Sequence, residues 1–191
     1  MMKQIIKQRF QESIQIKEET LKASADTIVK MAKEMIRALG RKKKIVLFGN
    51  GGSASDCQHM AAELIGRFEK ERKPLAAIAL TTDTSTLTAL GNDYGFDTVF
   101  ARQIAGLAAK GDMAFAISTS GHSKNVIEGV RQAKRMGLKT VALTGCDGGR
   151  LAKICDICLV VPSHKTARIQ ETHACVIHSL CELVENHFYK K

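Results

Sequence analysis

Residues 45–55 read Ile45-Val46-Leu47-Phe48-Gly49-Asn50-Gly51-Gly52-Ser53-Ala54-Ser55. Four apolar residues without polar alternation, closed by a glycine-rich turn that leads into a helix, describe a strand covered on both faces and its exit. The pattern returns at 76–80 (AAIAL), 113–117 (MAFAI), 140–144 (TVALT) and 157–161 (ICLVV), with helical segments between the runs. Five such strands, each followed by a helix, predict an α/β fold: a doubly wound, five-stranded parallel sheet. Ligands of such sheets bind beyond the carboxyl ends of the strands, at a topological switch point, so the turns after the first and third strands are the places to look for chemistry.

Upstream of this sheet, residues 1–40 hold no proline and no internal glycine. Ile5, Phe10, Ile14, Ile16, Leu21, Ile28, Met31, Met35 and Leu39 recur at loosely helical spacings, which predicts two helices, broken near Ala23 to Ala25 and stopped at Gly40. Downstream, residues 166–189 predict one long helix with Ile169, Val176, Ile177, Leu180, Leu183 and Val184 as its apolar side. Nothing resembles a linker or an internal repeat, and 191 residues suit a single domain: a helical segment over 1–40 and an α/β sandwich over 41–191.

Composition narrows the class. With 45% hydrophobic and 25% charged residues, a mainly disordered or collagen-like chain is excluded. No apolar run approaches the ~20 residues of a membrane span, and the opening MMKQIIKQRF lacks the core of a signal peptide, so the expected location is the cytoplasm. The six cysteines then read as thiols in a reducing compartment; Cys155 and Cys158 make a lone CxxC, with Cys158 inside what reads as a core strand from Asp156 to Val161. The net charge of +10 is concentrated at the start, where residues 1–44 carry 12 Lys/Arg against 5 Asp/Glu, or +7. Without interleaved aromatics or a nucleic-acid motif, this stretch reads as a solvated helix face and not as a nucleic-acid surface.

The two marked turns differ in chemistry. Gly49-Asn50-Gly51-Gly52-Ser53 lets backbone approach a sugar or phosphate at a helix start, but it is neither GxGxxG nor a P-loop, so a dinucleotide or triphosphate is not indicated. The second turn, Ser118-Thr119-Ser120-Gly121-His122-Ser123, places hydroxyls of Ser118, Thr119, Ser120 and Ser123 around a glycine at another helix start, a metal-free way to hold a phosphate monoester. On the helix after the first turn, His59 and Glu63 stand four apart and share a face that fits a metal or a substrate. Gln170 and His178 lie eight apart on the last helix, about 12 Å in rise, so they meet at one ion only by leaning together or through another subunit.

Together GNGGSASDCQHMAAELIGRF, ALGNDYGF, ISTSGHS, ALTGCDGG and TARIQETHACVIH, in this order and register over essentially the whole chain, resemble the sugar-isomerase, or SIS, domain family. The resemblance implies a flavodoxin-like sheet and a cytoplasmic homotetramer that isomerises sedoheptulose 7-phosphate, with oligomer contacts through residues 1–40. It further implies that Asn50, Gly51, Gly52 and Ser53 contact the sugar phosphate, that Asn92 and Asp93 line the site, and that Ser118, Thr119, Ser120 and Ser123 cradle the phosphate. Glu63 and His178 match the family's catalytic pair, while His59, Glu63, Gln170 and His178 match its zinc ligands. RFEKERKPLAAIAL and PSHKTARIQE also resemble a second SIS branch, which binds the replication initiator. Retention of both Glu63 and His178 sets this sequence with the isomerases.

Overall fold

A computed structural model describes residues 1–189. Its elements follow in the order α1 (Met2–Gly40), β1 (Ile45–Gly49), α2 (Gly52–Ile65), β2 (Ala77–Ala79), α3 (Thr84–Tyr94), α4 (Val99–Leu107), β3 (Met113–Ser118), α5 (Lys124–Arg135), β4 (Lys139–Gly145), α6 (Gly149–Ile154), β5 (Ile157–Val161) and α7 (Thr166–Phe188), with a 3₁₀ turn at Phe96–Thr98. The five strands form one parallel sheet in the order β2-β1-β3-β4-β5. The order reverses between β1 and β3, so the switch point lies where those two strands end side by side, with Gly49 opposite Ile117.

Each face of the sheet has its own core, which is why the strands lack polar alternation. Ile45, Leu47, Met113, Phe115, Ile117, Val141 and Leu143 pack under α1, α2 and α7. Val46, Phe48, Ala114, Ala116 and Ala142 pack on the opposite side against Val99, Phe100 and Ile104 of α4 and Val126 and Val130 of α5. The edge strands are less covered: β2 shrinks to Ala77–Ala79, and β5 starts at Ile157, just after Asp156, whose carboxylate accepts from the backbone N–H and hydroxyl of Thr140.

Two expectations are corrected. Residues 2–40 form one continuous helix, not two; Ala23 and Ala25 are strong helix formers, and a slip in apolar spacing without glycine or proline does not interrupt backbone hydrogen bonding. The slip marks a change of surroundings instead. The second half buries Met31, Ala32, Met35 and Ala38 in the core, whereas Ile5, Phe10, Ile14 and Leu21 of the first half are exposed. Leu183, expected on the apolar side of α7, is 43% exposed, while Ile169, Val176, Ile177, Leu180 and Val184 are buried. Among the described residues, no helix is long and apolar enough to cross a membrane.

Candidate functional site

Both chemical turns lie at the switch point, on neighbouring strands. They are joined there by a reciprocal amide pair: Asn50 Nδ2 donates to Asn125 Oδ1 at 2.8 Å and Asn125 Nδ2 returns the bond to Asn50 Oδ1 at 2.9 Å. Asn125 Oδ1 also accepts from the Val126 N–H, so the same side chain serves a backbone N–H in the first turn of α5 and fixes the glycine-rich turn. Asn125 is a site residue that local reading missed, since an asparagine in the first turn of a helix has an ordinary capping role.

The β3–α5 turn is folded by Gly121, whose φ of +66° favours glycine and whose absent Cβ would lie 2.1 Å from the Gly148 carbonyl. Its own carbonyl accepts from the N–H groups of Arg150 and Leu151, which ties the turn to α6. Within it, the buried Ser118 hydroxyl lies 3.0 Å from that of Ser123. Ser120 is exposed and its Oγ accepts from the His122 N–H at 3.1 Å, while Thr119 is half-buried. Lys124, which opens α5, stands 4.0 Å from Asp97. That contact brings the turn after α3 toward the serine loop. Asn92 and Asp93 occupy the exposed last turn of α3, where Asn92 Nδ2 donates to Asp93 Oδ1 at 2.7 Å.

Across the first turn, α2 and α7 run side by side. Gly52 lets Gln170 lie over the start of α2: a Cβ there would be 2.1 Å from Gln170 Nε2. Two turns further along both helices, His59, Glu63 and His178 converge. His59 Nε2 lies 2.9 Å from Glu63 Oε1 and 3.2 Å from His178 Nε2, with the two rings edge to face at 4.9 Å between centroids. One ring nitrogen thus faces both a carboxylate oxygen and a second imidazole nitrogen, so the donor atoms point at a common spot and do not form a relay. All three ligand atoms lie within 4.8 Å of one another. Two imidazoles and one carboxylate make a donor set suited to zinc. The structure brings three of the four expected ligands together; Gln170 sits against Gly52, about two helical turns away on α7.

The surroundings hold the cluster in place. Phe68 covers His178 with ring centroids 5.8 Å apart. One turn before His59, Asp56 has a buried Oδ2 without a hydrogen-bond partner, and burial raises its carboxyl above the usual range against the opposing charge of His59. His173, fully buried between Gln170 and His178 in sequence, donates from Nε2 to the Thr144 carbonyl at 3.0 Å. Burial pushes its pKa down to about 4, outweighing that hydrogen bond, so the ring is neutral near pH 7 and serves to tie α7 to β4.

A model of the SIS domain matches residues 9–145. The chain belongs to the SIS domain family. It is 54% identical over 180 residues to the phosphoheptose isomerase of Aquifex aeolicus (strain VF5), covering 94% of each chain. The solved phosphoheptose isomerase from Neisseria gonorrhoeae superposes with a TM-score of 0.93 at 46% identity, over 97% of this chain and all of that one. That from Francisella tularensis gives 0.94 at 41% identity, over 97% and 99%. Similarity to these SIS proteins spans α1 and α7 as well as the sheet, so the helices that carry the exposed apolar row and His178 belong to the shared architecture.

Proposed function

We propose that this SIS protein is a sugar-phosphate isomerase that converts sedoheptulose 7-phosphate to D-glycero-D-manno-heptose 7-phosphate through an enediol, the entry to bacterial heptose for lipopolysaccharide or related glycans. The observation that carries this reading is the convergence of His59, Glu63 and His178 on α2 and α7, apart from the serine-lined turn between β3 and α5. A ketose phosphate of this kind has its phosphate and its reacting C1 and C2 at opposite ends of the carbon chain. Its enzyme needs an anion cradle and a proton-transfer cluster that do not overlap.

The cradle is the β3–α5 turn, where Ser118, Thr119, Ser120 and Ser123 and the first N–H groups of α5 hold the phosphate and Asn50, Gly51, Gly52 and Ser53 hold the sugar. Asn92, Asp93 and Gln170 line its approaches. Glu63, half-buried, takes the proton from C1 and returns it to C2, and His178 moves protons between the two carbonyl oxygens and assists ring opening. His59, Glu63 and His178 would hold a zinc ion, while Gln170 of the same chain lies too far along α7 to join them; bound there, the metal would supply Lewis-acid polarisation of the carbonyl. Glu63 and His178 thus belong to both the proton-transfer pair and the ligand set.

The exposed row of Ile5, Phe10, Ile14 and Leu21 on α1 supports assembly as a homotetramer, which we place in the cytoplasm. Deleting residues 1–20 is expected to lower the mass measured by light scattering; an unchanged mass would refute a role for that helix in assembly. The activity is tested by incubating purified protein with sedoheptulose 7-phosphate and following the aldose product. Turnover supports the isomerase, and its absence favours the binding-protein branch that residues 67–80 and 162–171 also resemble.

A further inference from the structure

The last turn of α2 ends against a charged pair sealed from water. Arg72 and Glu185 have side chains only 1% and 2% exposed, and Arg72 Nε donates to Glu185 Oε1 at 2.7 Å. Desolvating two charges is costly, and an apolar pair of the same volume commonly serves stability as well or better. What such a pair can do that an apolar one cannot is bind many backbone groups at once, in fixed directions.

Every arm of this pair is used in that way. Arg72 Nη2 donates to the Glu63 carbonyl at 2.6 Å, and Nη1 donates to the carbonyls of Leu64, Gly66 and Lys73 at 2.9, 3.3 and 3.2 Å. Carbonyls in the last turn of a helix have no partner within the helix, and here the guanidinium supplies one directly at Glu63. Glu185 meanwhile accepts from the backbone N–H groups of Phe68, Glu69 and Lys70 at 3.1, 2.9 and 3.0 Å. These bonds hold its carboxyl below the usual carboxylate range although burial alone would raise it, so it stays ionised near pH 7.

The two sets of bonds end on the two halves of the proton-transfer cluster. One fixes the backbone of Glu63. The other fixes Phe68, the ring that covers His178. Glu185 is itself seven residues, about two turns, beyond His178 on the same helix, so the loop over His178 is referenced to the helix that carries it. Neither Arg72 nor Glu185 reaches the converging ligand atoms.

We infer that the buried Arg72–Glu185 pair is a positioning device that sets Glu63 and His178 relative to each other for proton transfer. This deepens the isomerase reading and rests on it for its kinetic consequences. The amide pair at Asn50 lies at the start of α2 and the serine turn leads into α5, whereas the device grips the last turn of α2, so loosening it moves the reacting groups and leaves phosphate binding alone.

The test uses full-length Arg72→Lys and Glu185→Gln, each checked for native circular dichroism and solution mass. An ammonium cannot span the carbonyls that the guanidinium spans, and a carboxamide presents only one acceptor oxygen to three N–H groups. The expected result is kcat lowered at least ~10-fold with KM for sedoheptulose 7-phosphate within about threefold, the scale seen when partners of reacting groups are lost. In protein labelled at histidine Cε1, the His178 resonance, assigned through His178→Asn, is expected to move in both variants because the Phe68 ring shifts. Folded variants with wild-type kcat and an unmoved His178 signal would overturn the inference, as would a rise in KM at constant kcat. Phe68→Leu keeps the ion pair and decides the matter if neither variant folds: it is expected to move the same resonance and lower kcat, and no change in either overturns the proposal. If the wild-type protein does not turn over the substrate, the isomerase reading fails, while the His178 resonance still reports on positioning.

Discussion

The two ends of the site are built in opposite ways. At the phosphate end, the hydroxyls that matter come from six consecutive residues, 118–123, on a turn fixed by Gly121 and by one strand's exit from the sheet. At the proposed proton-transfer end, His59 and His178 stand 119 residues apart in sequence and meet only because α2 and α7 lie side by side on one face of the sheet. The first end is a local structure that backbone conformation dictates. The second is a tertiary structure that depends on helix packing, on Phe68 and on the Arg72–Glu185 pair. On the proposed reading, binding and chemistry should therefore be separable by mutation, and each variant below should act on one and spare the other.

The largest effects are expected at the proton-transfer end. Glu63→Gln keeps the shape of the side chain but removes the base, so kcat should fall by at least ~100-fold with KM little changed. His178→Asn should act similarly, and the double variant should be little worse than either single one, because the pair works as a unit. A KM effect without a kcat effect would erase the distinction between the ends. At the phosphate end, each hydroxyl contributes about 0.5–1.5 kcal/mol to a neutral acceptor and more to a phosphate, so each loss should weaken substrate binding about tenfold. Ser120→Ala combined with Ser123→Ala should raise KM with kcat nearly intact, and an unchanged KM would remove the cradle.

The smallest and broadest effect concerns the buried tie between α7 and β4. Burial pushes the His173 imidazole from the ordinary 6.5 down to about 4 in the fold, so the unfolded chain takes up its proton first as pH falls. The stability it contributes is fully present above pH ~6.5 and is lost progressively down to about pH 4, up to about 3 kcal/mol. His173→Gln keeps an N–H donor for Thr144 and cannot titrate. Its denaturant midpoint should fall less over that pH range than that of the wild type, and parallel pH profiles would contradict the assignment.

This contrast also explains what was legible in the sequence. The five strands were readable because β1, β3 and β4 are covered on both faces, and the serine turn because its chemistry is contiguous. His59 and Glu63 could be paired by their spacing on one helix. Their meeting with His178, and the separation of Gln170 from that point, depend on the packing of α2 against α7, which no local pattern encodes. Asn125, Phe68, Arg72 and Glu185 escaped for the same reason: their partners lie 75 residues away for Asn125, about 110 or more for the others. The continuous α1 was misread because a shift in apolar spacing looks the same whether a helix breaks or passes from core to surface.

The central claim is that Glu63 and His178 move a proton between the first two carbons of a phosphorylated ketose. It is tested most directly by incubating the wild-type protein with sedoheptulose 7-phosphate in deuterium oxide and reading the aldose product by proton NMR. The account predicts that aldose forms, with solvent deuterium at C2 to the extent that the proton held by Glu63 exchanges before it is returned, and that Glu63→Gln binds the substrate but produces neither aldose nor exchange at a measurable fraction of the wild-type rate. No aldose from the wild type, or a Glu63→Gln protein that forms deuterated aldose at the wild-type rate, would contradict it.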